Sequence, residues 1–276
     1  MHPVLLRLGG TIVSSYDVLV ALGYLVGTAY LCTQIPGRWM APRRWWVLAA
    51  VLFGGSVLGG KAAFFIVEWK GFAADPWGML KDWDAGWVFW GGLLTAILFG
   101  RFYQAAHNRL YPHEKIPYLP IADYFGAALP MGHWLGRIGC FMEGCCHGRP
   151  ADLPWAVRFT SPAASVSEEL IGVPLHPVQL YESAGVLAIC LCNLLLVLPR
   201  IRAGKLRPGT AFLVYLTAYA VLRFFLEFWR GDERGTFLWP ALSPGQWMSL
   251  GVFLVCGTWL WRRGIWLDAA GPATSR

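Results

Sequence analysis

The sequence predicts an all-α integral membrane protein of seven transmembrane helices, with its N-terminus outside and its C-terminus in the cytoplasm. Three observations carry that prediction. The 276-residue chain is 56% hydrophobic and only 14% charged, with a mean hydropathy of +0.47. Soluble domains carry about 25% charged residues, so this chain lacks the charge to cover a water-facing surface. Its apolar residues fall in continuous runs rather than in alternation, and lipid admits only helices or closed barrels. The charges between those runs alternate in sign balance along the chain. The composition excludes an ordinary cytosolic enzyme and a disordered chain. The net charge of +7 and pI of about 9.2 do not signal a nucleic-acid partner, because the basic residues fall in short loops between apolar runs. Sixteen Trp and ten Tyr suit a protein with two membrane–water interfaces to furnish.

A membrane helix needs about 20 mostly apolar residues. Seven segments qualify: 17–34, 47–67, 85–100, 117–135, 177–198, 209–229 and 245–261. The first follows a long, nearly uncharged stretch with no small-x-small cleavage site, so it reads as a span and not a signal peptide. The second covers 21 mostly apolar residues. The third, at 16 residues, is the shortest. The fourth contains Asp123, Pro130, His133 and two Gly, and is expected to be broken or lined by protein. The fifth opens on Pro177, which suits a first helical turn. The sixth carries a polar stripe, and the seventh precedes a basic tail. Loops 35–46, 101–116 and 199–208 and the tail from 262 hold 13 basic and 2 acidic residues. Segments 1–16, 68–84, 136–176 and 230–244 hold 8 basic and 10 acidic. The positive side faces the cytoplasm, which requires an odd number of spans. Residues 1–276 read as one polytopic domain with an external loop over 136–176, rich in Gly, Pro and Ser.

Ionisable residues inside spans mark function by default. Tyr219, Arg223 and Glu227 recur every four residues on one face of the sixth span, with Arg230 near that face a turn later. Counting from Gly209, Arg223 lies roughly 21 Å along the axis, in the outer third of the bilayer. The bland reading is a structural ion pair between Arg223 and Glu227 with Arg230 as an interface anchor. Other unusual residues reach the same depth: Tyr16 and Asp17, Gly91 and Gly92, Gly136–Gly139 around Arg137, and the run from His176 through Gln179 and Tyr181 to Glu182. Gly-Gly at 91–92 lets a backbone or a ligand approach closely. Arginines beside Tyr, His, Gln and Glu make an anion site, since a guanidinium keeps its charge and offers a fork matched to phosphate. A phosphate at that depth belongs to a phospholipid head group.

Cys32, Cys190, Cys192 and Cys256 fall in spans and read as small apolar packing residues. Cys140, Cys145 and Cys146 lie on the oxidising side, where the readings in order are a disulfide, packed free thiols, a redox pair, and a metal site with His147 and Glu143. No standard zinc spacing is present.

Four segments together resemble the prolipoprotein diacylglyceryl transferase family. They are GRIGCFMEGCCHGRP at 136–150, HPVQLYES at 176–183, AYAVLRFFLEFWR at 218–230 and LSPGQWMS at 242–249. The matches run from about residue 15 to 250 in family order. Four positions depart from the family pattern, one of them Glu143 at a common Asn position. Trp90 stands where a His commonly precedes Gly-Gly, Cys140 where Asn is usual, and Cys145 at a common Glu position, so the chain looks like a divergent branch.

The resemblance implies transfer of a diacylglyceryl group from phosphatidylglycerol to the lipobox cysteine thiol of a preprolipoprotein signal peptide. A thioether forms and glycerol phosphate leaves. The place implied is the bacterial plasma (inner) membrane, multi-pass, with the active site toward the outer leaflet. No cofactor, metal or nucleic acid is implied. On that reading Arg137 and Arg223 take the phosphate, Tyr219 donates to a phosphate or glycerol oxygen, and Glu227 orients Arg223 or Arg230. Tyr16 lines the lipid pocket, Gln179 and Tyr181 join the binding site, and Gly139 and Gly148 let the loop approach the head group, as Gly91 and Gly92 do in the third span. His176 is the first candidate base, with His133 and His147 behind it. Two other classes stand beside this one: a membrane thiol oxidoreductase using Cys145 and Cys146, and a non-catalytic phospholipid-binding relative, which Trp90 favours.

Overall fold

The computed structural model describes residues 2–8, 11–35, 37, 39, 42–82, 86–231 and 242–263. The tail from 264, residues 232–241 of the last external segment, and the start of the third predicted span at 85 lie outside the described residues. An antiparallel pair, β1 (Val4–Leu8) and β2 (Thr11–Ser14), leads into α1 (Ser15–Gln34). Ser14 starts that helix: its Oγ accepts from the Asp17 amide at 3.0 Å and donates to the Asp17 carboxylate at 2.8 Å. Then come α2 (Pro42–Val67), the short α3 (Trp69–Ala74) and α4 (Pro76–Lys81), α5 (Phe89–Leu110) and α6 (Tyr118–Glu143). After a long loop follow α7 (Val178–Cys192), a π-helical turn, α8 (Leu198–Arg202), α9 (Thr210–Leu226) and α10 (Pro244–Arg263). Each predicted span falls on one of these helical runs. Four runs are long and apolar enough to cross a membrane: Ser15–Gln34, Arg44–Val67, Val178–Arg202 and Thr210–Trp229. The others, α5, α6 and α10, are more polar.

The contacts divide into two compact units, Ile35–Tyr118 and Met1–Gln34 with Leu119–Arg276. In the first, α2 and α5 meet backbone to backbone. Ser56, Gly59 and Ala63 repeat on one face of α2 and oppose Gly91, Gly92 and Thr95 of α5, and Gly60 beside them faces Trp87. A Cβ on Gly59 would stand 2.5 Å from the Gly91 carbonyl oxygen, one on Gly91 2.3 Å from the Ala63 Cβ, and one on Gly92 2.9 Å from the Ser56 oxygen. The close approach that sequence left open between ligand and backbone is therefore one of backbone. Small residues let membrane helices gain dispersion contact where no hydrophobic drive separates helix from lipid. Lys61, buried in the same helix, places its ammonium 4.8 Å over Trp87 and 5.4 Å over Phe64. At the other end of the unit Arg44 pairs with Glu114 and reaches His107 Nε2 at 2.8 Å, its guanidinium 4.4 Å over Tyr111.

In the second unit α1 crosses α6 through glycine. A Cβ on Gly23 would lie 2.9 Å from the Gly132 Cα, and one on Gly139 3.1 Å from the Tyr16 ring. The fourth predicted span is not broken: α6 passes through Pro130 and runs on to Glu143, so Arg137 and Cys140 sit on a helix rather than in the external loop. Pro130 has no N–H to give the carbonyl four residues back. That carbonyl, Gly126, instead accepts from Asn193 Nδ2 at 2.7 Å, and the same amide reaches the Ala211 carbonyl at 3.0 Å. Asn193 opens the π-helical turn Asn193–Val197. That turn precedes Pro199, whose ring disfavours a regular helix through the preceding turn. Asp123, buried in α6, accepts from the amides of Gly209 at 2.6 Å and Ala211 at 2.8 Å. A carboxylate on free amides at a helix start satisfies both the orphan donors and the helix dipole.

The loop between α6 and α7 folds on its own small cluster of Phe159, Val166 and Leu175, with Phe141 packed against it. Its strands β3 (Val157–Arg158) and β4 (Pro174–Leu175) pair antiparallel. Gly148 bridges to Arg230, and its amide donates to the His176 carbonyl at 3.1 Å. A Cβ on Gly148 would stand 2.5 Å from that carbonyl oxygen. Its missing side chain serves the packing of three backbone segments, a different role from the head-group approach expected from sequence.

Candidate active site

Helices α6, α7 and α9 bring a buried ionic centre together. Its hub is Glu182 on α7, which is fully buried. The carboxylate Oε1 accepts from Arg137 Nε at 3.1 Å and from the Tyr219 hydroxyl at 2.7 Å. His133 Nε2 stands 3.6 Å from the same oxygen. A buried carboxylate is costly unless cations and donors surround it, and here one guanidinium, one phenol and one imidazole do so. His133 and Arg137 are four residues apart on α6, so they share a face. The His133 ring lies edge-on to Tyr219 with centroids 4.7 Å apart, and its Nδ1 is 3.4 Å from the Tyr215 hydroxyl.

The stripe on α9 extends that centre. Arg223 is buried, lies within electrostatic reach of both Glu182 and His133, and pairs through Nη2 with Glu227 Oε2 at 2.6 Å. Its other terminal nitrogen, Nη1, is buried with no hydrogen-bond partner among the described residues. Glu227 is held from the other side by Ser243, whose Oγ donates to Oε1 at 2.8 Å. Ser243 and Gln246 close a reciprocal cap on α10: Ser243 N donates to Gln246 Oε1 at 3.0 Å, and Gln246 N to Ser243 Oγ at 3.2 Å. The Leu-Ser-x-x-Gln segment thus caps a helix and steadies the Arg223 partner at once.

The remaining sequence candidates fall nearby in different roles. Tyr16 packs on Gly139, within electrostatic reach of Arg137 and Cys140. Gln179, buried, donates from Nε2 to the Cys145 carbonyl at 2.8 Å and so tethers the loop after α6. Arg230 is also buried, and its carbonyl accepts from Arg149 Nε at 3.1 Å. His176 stands with Tyr181, Nδ1 to hydroxyl 3.5 Å, and the Trp155 indole donates to the same hydroxyl at 2.7 Å. With Leu153, Leu226 and Trp229 these residues line an apolar cleft of about 580 Å³. The leading base candidate therefore lies in the cleft, while His133, ranked behind it, stands on Glu182. Trp90, Gly91 and Gly92 belong to the unit of residues 35–118. Cys140 at the end of α6 and Cys145 and Cys146 just beyond it are free thiols, with sulfur atoms within 4.8 Å of one another.

Sequence reading missed Glu182 as the hub, and with it Tyr215 and Ser243. Glu182 did leave a signal: it is the single charged residue in the segment 177–198. Tyr215 extends the four-residue repeat of the α9 stripe backwards by one step.

Fold and site define a helical membrane protein with a buried, guanidinium-rich centre suited to an anionic ligand. The family model for prolipoprotein diacylglyceryl transferase matches residues 3–262, and the chain belongs to that family. The phosphatidylglycerol–prolipoprotein diacylglyceryl transferase of Clostridium tetani is 32% identical, covering 92% of this chain and 95% of the relative. That of Ruegeria pomeroyi is 35% identical over 84% of this chain and 81% of its own. That of Rhodospirillum centenum is 31% identical over 100% and 96%.

Proposed function

We propose that this chain transfers the diacylglyceryl group of phosphatidylglycerol to the lipobox cysteine thiol of preprolipoproteins. The observation that carries the reading is the pair of guanidiniums, Arg137 and Arg223, that both bear on Glu182, with Arg223 Nη1 left free to meet an anion. In the reaction a sulfur–carbon bond forms at the glycerol carbon and the carbon–oxygen bond to phosphate breaks. The leaving glycerol phosphate takes the electron pair, and the thiol proton goes to a base. Fixed cations in a water-poor centre stabilise that leaving charge. Tyr219, held by Glu182, orients the hub and faces the same space. His133 is the proton acceptor on this reading. It is in contact with the ionic centre, and Trp90 leaves no imidazole at the third-span position that the family pattern fills with His.

The apolar cleft of Trp155, His176, Tyr181 and Leu226 provides a berth for an acyl chain. Tyr181 and Leu226 are the direct chain neighbours of Glu182 and Glu227. Seven spans, N-terminus out and C-terminus in, follow from the loop charges and put this centre toward the outer leaflet of the bacterial plasma membrane. The test is incubation of the purified protein with phosphatidylglycerol vesicles and a lipobox peptide, read as the diacylglyceryl mass increment on the peptide. Arg137→Ala and Arg223→Ala each abolish it. Product formation that survives both substitutions removes the phosphate clamp.

A further inference from the structure

The end of α6 carries a second chemical constellation that the transfer reaction does not use. Cys140 is on the last helical turn. The chain then leaves the helix at Gly144, with φ +88, and turns again at Cys146, with φ +58. A left-handed backbone is rare for a residue with a Cβ, and at Cys146 it swings the side chain back over the helix end. Gln179 holds the turn by the Cys145 carbonyl, and the Ser165 amide holds it at the Glu143 carbonyl, 2.8 Å away. The outcome is three sulfurs, from Cys140, Cys145 and Cys146, all within 4.8 Å of one another.

We infer that Cys140, Cys145 and Cys146 form a three-thiolate site for a soft cation, Cu(I). A metal–sulfur bond of about 2.3 Å sets the sulfur–sulfur edge of such a site near 4.0 Å, so closure needs little movement. Zn(II) takes four ligands in closed sites, whereas Cu(I) is satisfied by three thiolates, and soft sulfur selects it. A disulfide accounts for the arrangement less well. Adjacent residues hold their Cα atoms about 3.8 Å apart, too close for an unstrained Cys145–Cys146 bridge. Either bridge to Cys140 leaves the third thiol unused. Arg137 Nη1 points at Cys140 Sγ from 3.9 Å. Each thiol gives up its proton to solvent as the cation binds.

The test uses the full chain in detergent, reduced, desalted under nitrogen and titrated with Cu(I) as its acetonitrile complex against a chromophoric Cu(I) chelator. The expected result is one Cu(I) per chain taken from the chelator. Peptide mapping after iodoacetamide should then show Cys140, Cys145 and Cys146 protected. Cys145→Ser loses that uptake. Where the variant does not fold, mapping of the unsubstituted protein decides alone. No uptake, protection confined to Cys32, Cys190, Cys192 or Cys256, or preference for Zn(II) in a parallel titration overturns the proposal. So does unreduced protein with Cys140 covalently bonded to Cys145 or Cys146.

Discussion

In the unit of residues 35–118, α2 meets α5 through Gly59, Gly91 and Gly92, with small residues filling the seam and backbone on backbone. In the other unit, α6 meets α7 and α9 through Asp123, Asn193, Glu182 and Arg137, each engaged in a hydrogen bond or ion pair. Both solve the same difficulty, that lipid is as apolar as a helix surface and offers no hydrophobic drive for association. The first seam gains contact by closeness and tolerates no added atom. The second gains it by polarity and tolerates no lost partner, but it also leaves a charged centre available for chemistry. Steric seams hold a scaffold, and polar seams can be put to work.

That contrast is open to direct attack. The largest effect is expected on turnover. Arg137→Ala or Arg223→Ala should lower lipidation of a lipobox peptide by about 10²–10³-fold or more, the scale of losing one preorganised donor, with the circular dichroism spectrum unchanged. Arg223→Lys should fail as well, because the three donors of an ammonium radiate from one nitrogen and cannot reach Glu227 while also filling the position of Arg223 Nη1, as the planar guanidinium fork does. Glu182→Gln strands the buried Arg137, and a loss of about 3–5 kcal/mol is expected, read as a fall in the unfolding midpoint in detergent together with lost activity. Gly91→Val should overpack the α2–α5 seam by about 1–3 kcal/mol, while Gly54→Ala, on the same helix with open space around it, should not. Ser243→Ala removes the α10 cap for about 0.5–2 kcal/mol, and its activity loss should be partial, since Glu227 keeps Arg223. A Gly91→Val variant as stable as the parent would erase the distinction between the two seams.

The amino-acid order decided much of this protein. Continuous apolar runs marked the four described helices that are long and apolar enough to cross a membrane, because a chain in lipid must satisfy its backbone within each segment. The stripe of Tyr219, Arg223 and Glu227 was legible for the same reason that Gly23 and Gly27 were not. A charge inside a span is conspicuous, whereas a glycine that touches Gly132 across a crossing looks like any other. The end of α6 at Glu143 rather than near 135 was hidden because Pro130, Gly136 and Gly139 look like helix breakers, and Arg137 like the end of an apolar run, when their partners are unknown.

Only the tertiary structure made Glu182 the hub, since its three partners come from two other helices and nothing local fixes their meeting. It also set His133 beside Glu182 and His176 in the apolar cleft, gave Gly148 a packing role, and gathered three sulfurs at one helix end. Periodicity and charge are properties of single segments and can be read along the chain. Which side chains share a buried carboxylate depends on how helices cross, and that is set by contacts between residues far apart in sequence.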